Sequence, residues 1–580
     1  MSIRGKRAFL LAAGVLLVLI AGGIYWMQQQ GDDGKTLSYN GHGGMFKNTL
    51  AEIDTPDPSV VYRNGFYYMT FTHNGADIMV MKSRTLDFRS AERKVVWYPP
   101  AETAYSANLW APEIQHLQGK WYIYFAADDG DNANHRMYVL EGEGDDPMGG
   151  YVLKGQLEDD AGKWAIDGLA MEHEGKLYFV WSGWEGDVNE AQNTYIAPMS
   201  DPWTISGPRV LLSRPELDWE RGGGPPYINE GQSLLYKDGR VFIVYSGAGS
   251  WTPLYSLGLL ALKPGGNPLE PSDWTKAQEP LLAMDEEAGV YGPGHNSFVP
   301  SPDGSETWLV YHATSGPADG WNNRKARAAR VEWDKNGLPL FGKPQALETP
   351  IRMPAGMGVF QAKDAVRDGD RLSFGAIPST VEAGAPVLVH YRNAGGSEAA
   401  ARIGTADAGE PAELKLAPTA ADSIGYVYGR VGLREGMNEL AVEAAGSGVE
   451  VLAVEIPRYE AEWAAFGGAA AEEENPYASR GAAAGLYGEG DFLRFSHVSV
   501  PRGGKYTVSV SVLNPADGAE LSLAANGGRG SAVKLKPQER NAAGVYEAEL
   551  ELKAGENELV LFDSRGSFII DYVDIWRRPG

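Results

Sequence analysis

The chain has 580 residues, a net charge of −25 and no cysteine. Such a charge repels phosphate before contact, which excludes nucleic acid and favours a neutral partner. The missing cysteines exclude disulfides, zinc–thiolate sites and thiol nucleophiles, while 73 Gly, 28 Tyr and 16 Trp fit short strands, tight turns and aromatic surfaces.

At the N-terminus Arg4, Lys6 and Arg7 precede an apolar run from Ala8 to Trp26. The run is as long as a membrane span and no clear small-x-small cleavage site closes it. Export is predicted, either with an uncleaved anchor whose globular part lies outside or with a cleaved signal. The polar stretch Gln28 to Lys35 reads as a linker, so residues 1–35 stand apart from the folded part.

A phrase then recurs five times: an acidic or imidazole residue opens a strand, and an aromatic β-run follows a Gly-containing turn. The copies are DPSVVYRNGFYYMTF from Asp57, PEIQHLQGKWYIYFA around Glu113, DGLAMEHEGKLYFVW from Asp167, EGQSLLYKDGRVFIVY from Glu230 and HNSFVPSPDGSETWLVY from His295. Their openings lie 56, 54, 63 and 65 residues apart, the spacing of propeller blades. Residues 36–350 are therefore predicted to form a five-bladed β-propeller, with the opening residues meeting at its axis.

Beyond Pro350 the texture becomes Ala-, Gly- and Val-rich, and a second repeat appears. Gly436 to Ile456 aligns without gaps on Gly555 to Ile575, and GDRLSF from Gly369 matches GDFLRF from Gly490. Alternating strands such as YTVSVSVL from Tyr506 predict antiparallel sheets with one buried face. The fold class is all-β: a propeller followed by two related β-sandwiches, 351–457 and 458–580.

In order, DPSVVY, WAPEI, AIDGLAM, NEGQSLLY and YGPGHNSF closely resemble glycoside hydrolase family 43, five-bladed propeller enzymes that include inverting arabinofuranosidases, xylosidases and arabinanases. The resemblance implies that Asp57 is the general base that activates water, that Asp167 orients the proton donor and tunes its pKa, and that Glu230 is the general acid. An inverting glycosidase needs such a set, one carboxylate to deprotonate water and one carboxylic acid to protonate the leaving oxygen; a third acid raises the donor's pKa by like-charge repulsion. It further implies that Trp110 and Arg327 contact substrate and that His295 faces a metal, commonly calcium, although imidazole is an unusual direct calcium ligand. Glu113 carries no catalytic role in the family and reads as a structural acid. Trp251 and Tyr255, between the fourth and fifth copies, are expected to help wall the pocket.

The last domain resembles carbohydrate-binding modules of families 6 and 35. Its YEAEWA places Glu460 and Glu462 on one face of a strand, and IIDYVDI supplies Asp571; these match the modules' structural calcium site. Asp571 corresponds to Leu452 in the middle copy, which reads as a spacer without that site. Trp463, Tyr477 and Tyr487 are candidates for either sugar contact or core. The expected function is removal of terminal α-L-arabinofuranosyl residues from plant arabinan or arabinoxylan by a protein secreted, or anchored to the outer face of a bacterial membrane. A β-xylosidase, an endo-arabinanase and a non-catalytic cell-surface polysaccharide-binding protein are the alternatives.

Overall fold

The computed structural model describes residues 45–578, apart from 90, 303, 380–381, 406–408, 421–422, 435, 447 and 480. The expected apolar run from Ala8 to Trp26 lies outside the described residues. Among the described residues every helical turn is a 3-10 turn of three or four residues, and all other regular structure is strand. The chain is all-β.

Residues 59–330 build five antiparallel sheets led by Ser59–Arg63, Ala107–Leu117, Ala165–His173, Tyr227–Lys237 and Tyr291–Pro300. Each leading strand pairs with the next strand in the chain. In the first four the connection is a two-residue turn: Asn64-Gly65, Gln118-Gly119, Glu174-Gly175 and Asp238-Gly239, with positive φ at both positions. That is the turn whose twist matches the flanking strands, and glycine in its second place carries the conformation at least cost. The third and fourth sheets are bridged by a short parallel pairing of Ala191 with Tyr227 and Gln192 with Ile228.

Leading strands are tied to one another around the set by polar contacts. The Ile114 amide donates to Ser59 Oγ, Gln115 exchanges two hydrogen bonds with Ala170, the Gly231 amide donates to Asp167, Asn296 donates to Ser233 Oγ, and Ser297 Oγ donates to the Pro58 carbonyl. The fifth strand thus returns to the first. Met45–Lys47 then pairs antiparallel with Pro350–Arg352, joining the beginning and end of this region. Apolar faces between sheets are filled by aromatic and branched residues such as Tyr124, Phe179 and Trp181, each contributing about 1.5–3 kcal/mol by burial.

The C-terminal third contains two copies of one arrangement. Strands Arg371–Ser379 and Gly436–Ala445 pair as Phe492–Val500 and Gly555–Arg565 do, and each copy presents two sheets to one apolar core. Even an irregularity repeats: register shifts between Phe374 and Ile377 and between Phe495 and Val498. One sequence expectation is corrected here. The strand holding Glu460 ends at that residue (Arg458–Glu460), and Glu462 lies in the 3-10 turn Ala461–Trp463, so the two are not alternate residues of one strand.

Candidate active site

The leading strands share a backbone feature, just before the first strand and within the other four. Asp57, Ala111, Asp167, Gly231 and His295 all have φ between +37° and +60°, the left-handed region that costs a residue with a Cβ about 1–2 kcal/mol. These five, rather than the five residues singled out from the sequence, occupy equivalent places. Glu113 stands two positions after this kink and Glu230 one before it. Only glycine serves after Glu230: a Cβ at Gly231 would lie 3.0 Å from Ser246 Oγ and 3.2 Å from the His295 ring.

The kinks turn the side chains toward a cavity of about 810 Å³, lined by Asp57, Asp167, Glu230, His295, Trp110 and Arg324 among others. His295 is buried at the centre of the acids, with Nε2 3.0 Å from Glu113 Oε1, and Nδ1 3.5 Å from Asp57 Oδ1 and 3.8 Å from Asp167 Oδ2. Burial alone would lower its pKa, but Asp167, Asp57 and Glu113 outweigh it and raise the imidazole to about 10. Both ring nitrogens of His295, the residue expected to face a metal, are directed at carboxylates.

The three acids differ in protonation. Burial pushes Asp57 upward, yet Arg324, His295 and the Thr72 hydroxyl together hold it far below the usual carboxylate range. Arg324 Nη1 is 3.2 Å and Thr72 Oγ1 2.7 Å from its oxygens. His312, pushed well down chiefly by burial and by Arg324, is neutral and accepts the Asp57 amide at Nδ1 (3.0 Å). Asp167 is raised to about 6 by burial and by Asp57, against the pull of His295 and the Gly231 amide 2.8 Å away. Glu230 is raised to about 8 by burial and then by Asp167, and Tyr255 donates to its Oε1 at 3.0 Å. At neutral pH one end of the constellation is an ionised base and the other a protonated acid.

Trp110 lines the cavity, stacked on His135 with ring centroids 4.1 Å apart. Trp251 also lines it, while Tyr255 acts through Glu230. Arg327 does not take the expected place: it is fully buried and donates to the carbonyls of Gln345 and Thr314. Arg324, three residues earlier, takes that place, because an odd separation along an extended chain reverses the side-chain face. His312, Thr72 and Arg324 escaped sequence reasoning; the cluster of basic residues in NNRKARAAR was the trace of the last.

Far from this cavity, Glu460 and Asp571 both reach Ser479, the latter accepting its amide at 2.6 Å. Glu462 is buried on the adjacent turn, within electrostatic reach of Arg89. Among the described residues no group of three His, Asp or Glu side chains is arranged to hold a metal ion.

An ionised carboxylate and a protonated one, set in a tryptophan-walled cavity without a phosphate-binding cluster of cations, are the equipment of a general acid–base catalyst for a neutral substrate. The chain belongs to glycosyl hydrolases family 43, whose model matches residues 46–339. It is 34% identical over 312 residues to alpha-L-arabinofuranosidase 43 of Humicola insolens, covering 52% of this chain and 64% of that protein. With the extracellular exo-alpha-(1->5)-L-arabinofuranosidase of Streptomyces avermitilis it shares 36% identity over 318 residues, 53% of this chain and 65% of that one. The chain thus spans just under two thirds of these relatives. Among solved structures, the alpha-L-arabinofuranosidase from Lactobacillus brevis is 31% identical, with a TM-score of 0.49 over 52% of this chain and 98% of that one.

Proposed function

We propose that this chain is an inverting exo-α-L-arabinofuranosidase acting on plant arabinan or arabinoxylan outside the cell. The observation that carries the reading is the meeting of Asp57, Asp167 and Glu230 in one cavity, where their surroundings push the Asp57 and Glu230 carboxyls in opposite directions. Asp57 takes a proton from water as the water attacks the anomeric carbon. Glu230 delivers its proton to the glycosidic oxygen as that bond breaks. Asp167 keeps Glu230 protonated by repulsion and holds the following amide, which fixes the acid's position. His295 and Arg324 keep Asp57 ionised. The choice of an arabinofuranosyl substrate is supported by the names and 34–36% identity of the relatives.

In the same reading, the five sheets are blades of a propeller spanning 36–350, and the two copies beyond are a spacer sandwich (351–457) and a carbohydrate-binding sandwich (458–580). A calcium ion in the last unit belongs to this reading, with Glu460, Glu462 and Asp571 as its oxygen donors, as does export through the N-terminal segment.

Aryl α-L-arabinofuranoside and aryl β-D-xyloside, offered to the parent and to Asp57→Ala and Glu230→Ala forms, test the assignment. The arabinofuranoside should be preferred, and Asp57→Ala should lose at least about a hundredfold in kcat, since acid and base contributions are each worth about 10²–10⁴. Glu230→Ala should lose less, because an activated aryl leaving group needs little protonation. Equal rates for parent and Asp57→Ala would refute the role of the base, and preference for the xyloside would replace the substrate.

A further inference from the structure

Trp110 reaches the cavity from backbone that departs from the regular ladder. Asn108 and Ala111, on either side of it, have φ of +49° and +44°, in the left-handed region that a side chain disfavours. The pairing of Ala107–Leu117 with Lys120–Asp128 slips once before Trp110 and once after it. Backbone of this kind keeps its shape only where its surroundings fix it. The Leu109 amide donates to the Gly75 carbonyl at 2.9 Å, and the Ala111 amide to Thr72 Oγ1 at 2.8 Å.

Further fixing comes from Asp128 and His135, neither of which has exposed surface. Together they hold Asn108 at two points. Its side-chain amide donates to both Asp128 oxygens, at 2.9 and 3.1 Å, and its carbonyl accepts His135 Nε2 at 3.0 Å. His135 Nδ1 in turn lies 2.9 Å from Asp128 Oδ2. The imidazole is stacked on Trp110 with centroids 4.1 Å apart and meets Trp164 edge-on at 6.1 Å. One buried pair thus sets both the backbone before Trp110 and the plane of its ring. A carboxylate and an imidazole so buried are costly unless partnered, which ties the pair to these contacts.

The loop that carries them is ordered by its own acids. In residues 128–135, DDGDNANH, the Gly130 amide donates to Asp128, the Asp131 amide and the Asn134 side chain to Asp129, and the Ala133 amide to Asp131. His135 is therefore presented in a fixed place.

We propose that Asp128 and His135 are positioning residues of the active site: they hold Trp110 at a set distance and tilt beside Asp57, Asp167 and Glu230. Having no exposed surface, they act on the reaction through the indole and not by touching substrate. Thr72 completes the link, since it accepts the Ala111 amide and donates to Asp57, so that indole and base share one support. The role requires the cavity to be the hydrolytic site and is indifferent to which sugar it takes.

Full-length parent, Trp110→Ala, His135→Ala and the double variant are assayed on whichever aryl glycoside the parent turns over faster, beside Asp128→Ala and Asp128→Asn. Urea unfolding shows which variants are folded. Trp110→Ala should lower kcat/KM about tenfold, mainly through KM, the scale of one aromatic contact. His135→Ala should give a loss of similar size and form, but no more than about threefold further when Trp110 is already Ala, the part owed to Trp164. Asp128→Asn still offers an acceptor to Asn108 and a partner to His135, so it should recover most of what Asp128→Ala loses. Neither limb of the pH profile should move. If His135→Ala does not fold, His135→Phe, which also lacks both polar holds, takes its place in the cycle with the same expected non-additivity. An undiminished loss on top of Trp110→Ala, a loss carried by kcat with a shifted limb, or a Trp110→Ala form as active as the parent overturns the proposal. Preference for the xyloside would change the sugar assigned above and leave the positioning role standing.

Discussion

The chemistry of the site rests on two carboxyls pushed in opposite directions by their surroundings. Glu230, raised to about 8 by burial and by Asp167, is a proton donor only while protonated, so kcat/KM should fall as pH rises through that value. Asp57 is held so low by Arg324 and His295 that it stays ionised throughout the neutral and mildly acidic range. Two substitutions should move opposite limbs of the profile. Asp167→Asn removes a like charge from Glu230, lowers its pKa and shifts the alkaline limb to lower pH; Arg324→Gln removes a cation from Asp57, raises its pKa and brings the acidic limb up. Profiles of kcat/KM on an aryl arabinofuranoside check both, and an unmoved limb would detach that residue from the carboxyl it neighbours. At this scale the sequence disclosed the acids but not their partners. Asp57, Asp167 and Glu230 each sit beside a Pro or Gly at a strand start, a visible mark. Arg324, His312 and Thr72 come from other strands and loops, brought in by folding, and only Arg324 left a local trace, the basic run NNRKARAAR.

Strand geometry explains where the reading of the repeats slipped. The acid was a natural marker for the start of each copy, yet what recurs is a left-handed backbone kink at Asp57, Ala111, Asp167, Gly231 and His295. Conformation of that kind leaves no fixed residue type, so Glu113 and Glu230 looked equivalent to Asp57 when they are displaced from it by two places and one. The Gly-containing turns were legible because glycine at positive φ does have a type. In the C-terminal copies the repeated register shift is secured by one side chain in each, Asn438 and Asn557. Asn557 donates to the Val498 and Lys553 carbonyls and accepts the Lys553 amide at 2.9 Å; Asn438 makes the same three contacts with Ile377 and Arg434. Asn557→Ala strands these buried backbone groups and should destabilise the chain by about 1–3 kcal/mol in urea unfolding. A change within error would mean that water replaces the amide.

The catalytic and C-terminal units meet through both charge and apolar contact. Glu472 reaches Lys47 at 2.7 Å and Arg89 at 2.8 Å, while Trp463 is packed in the apolar cluster of the first region with Phe46, Ile351 and Met357. The apolar contact should dominate. The ion pairs are partly solvated, so Glu472→Ala should cost about 1 kcal/mol or less, whereas Trp463→Ala should cost about 3–5 kcal/mol through the cavity it leaves. Denaturant unfolding of the two variants compares them directly, and a larger loss for Glu472→Ala would reverse the ranking. Of the two readings open to Trp463, sugar contact or core, its burial against the neighbouring unit fits the core; which unit it packs on has no mark within YEAEWA.

Because Met45–Lys47 clasps Pro350–Arg352, the two ends of the five-sheet region are held by the region itself. Ser250, Trp251 and Trp321 line the cavity from connections outside that clasp, and they stop short of Tyr255 and Arg324. Substitutions confined to those three should therefore alter what the cavity admits while the partners of Glu230 and Asp57 stay in place.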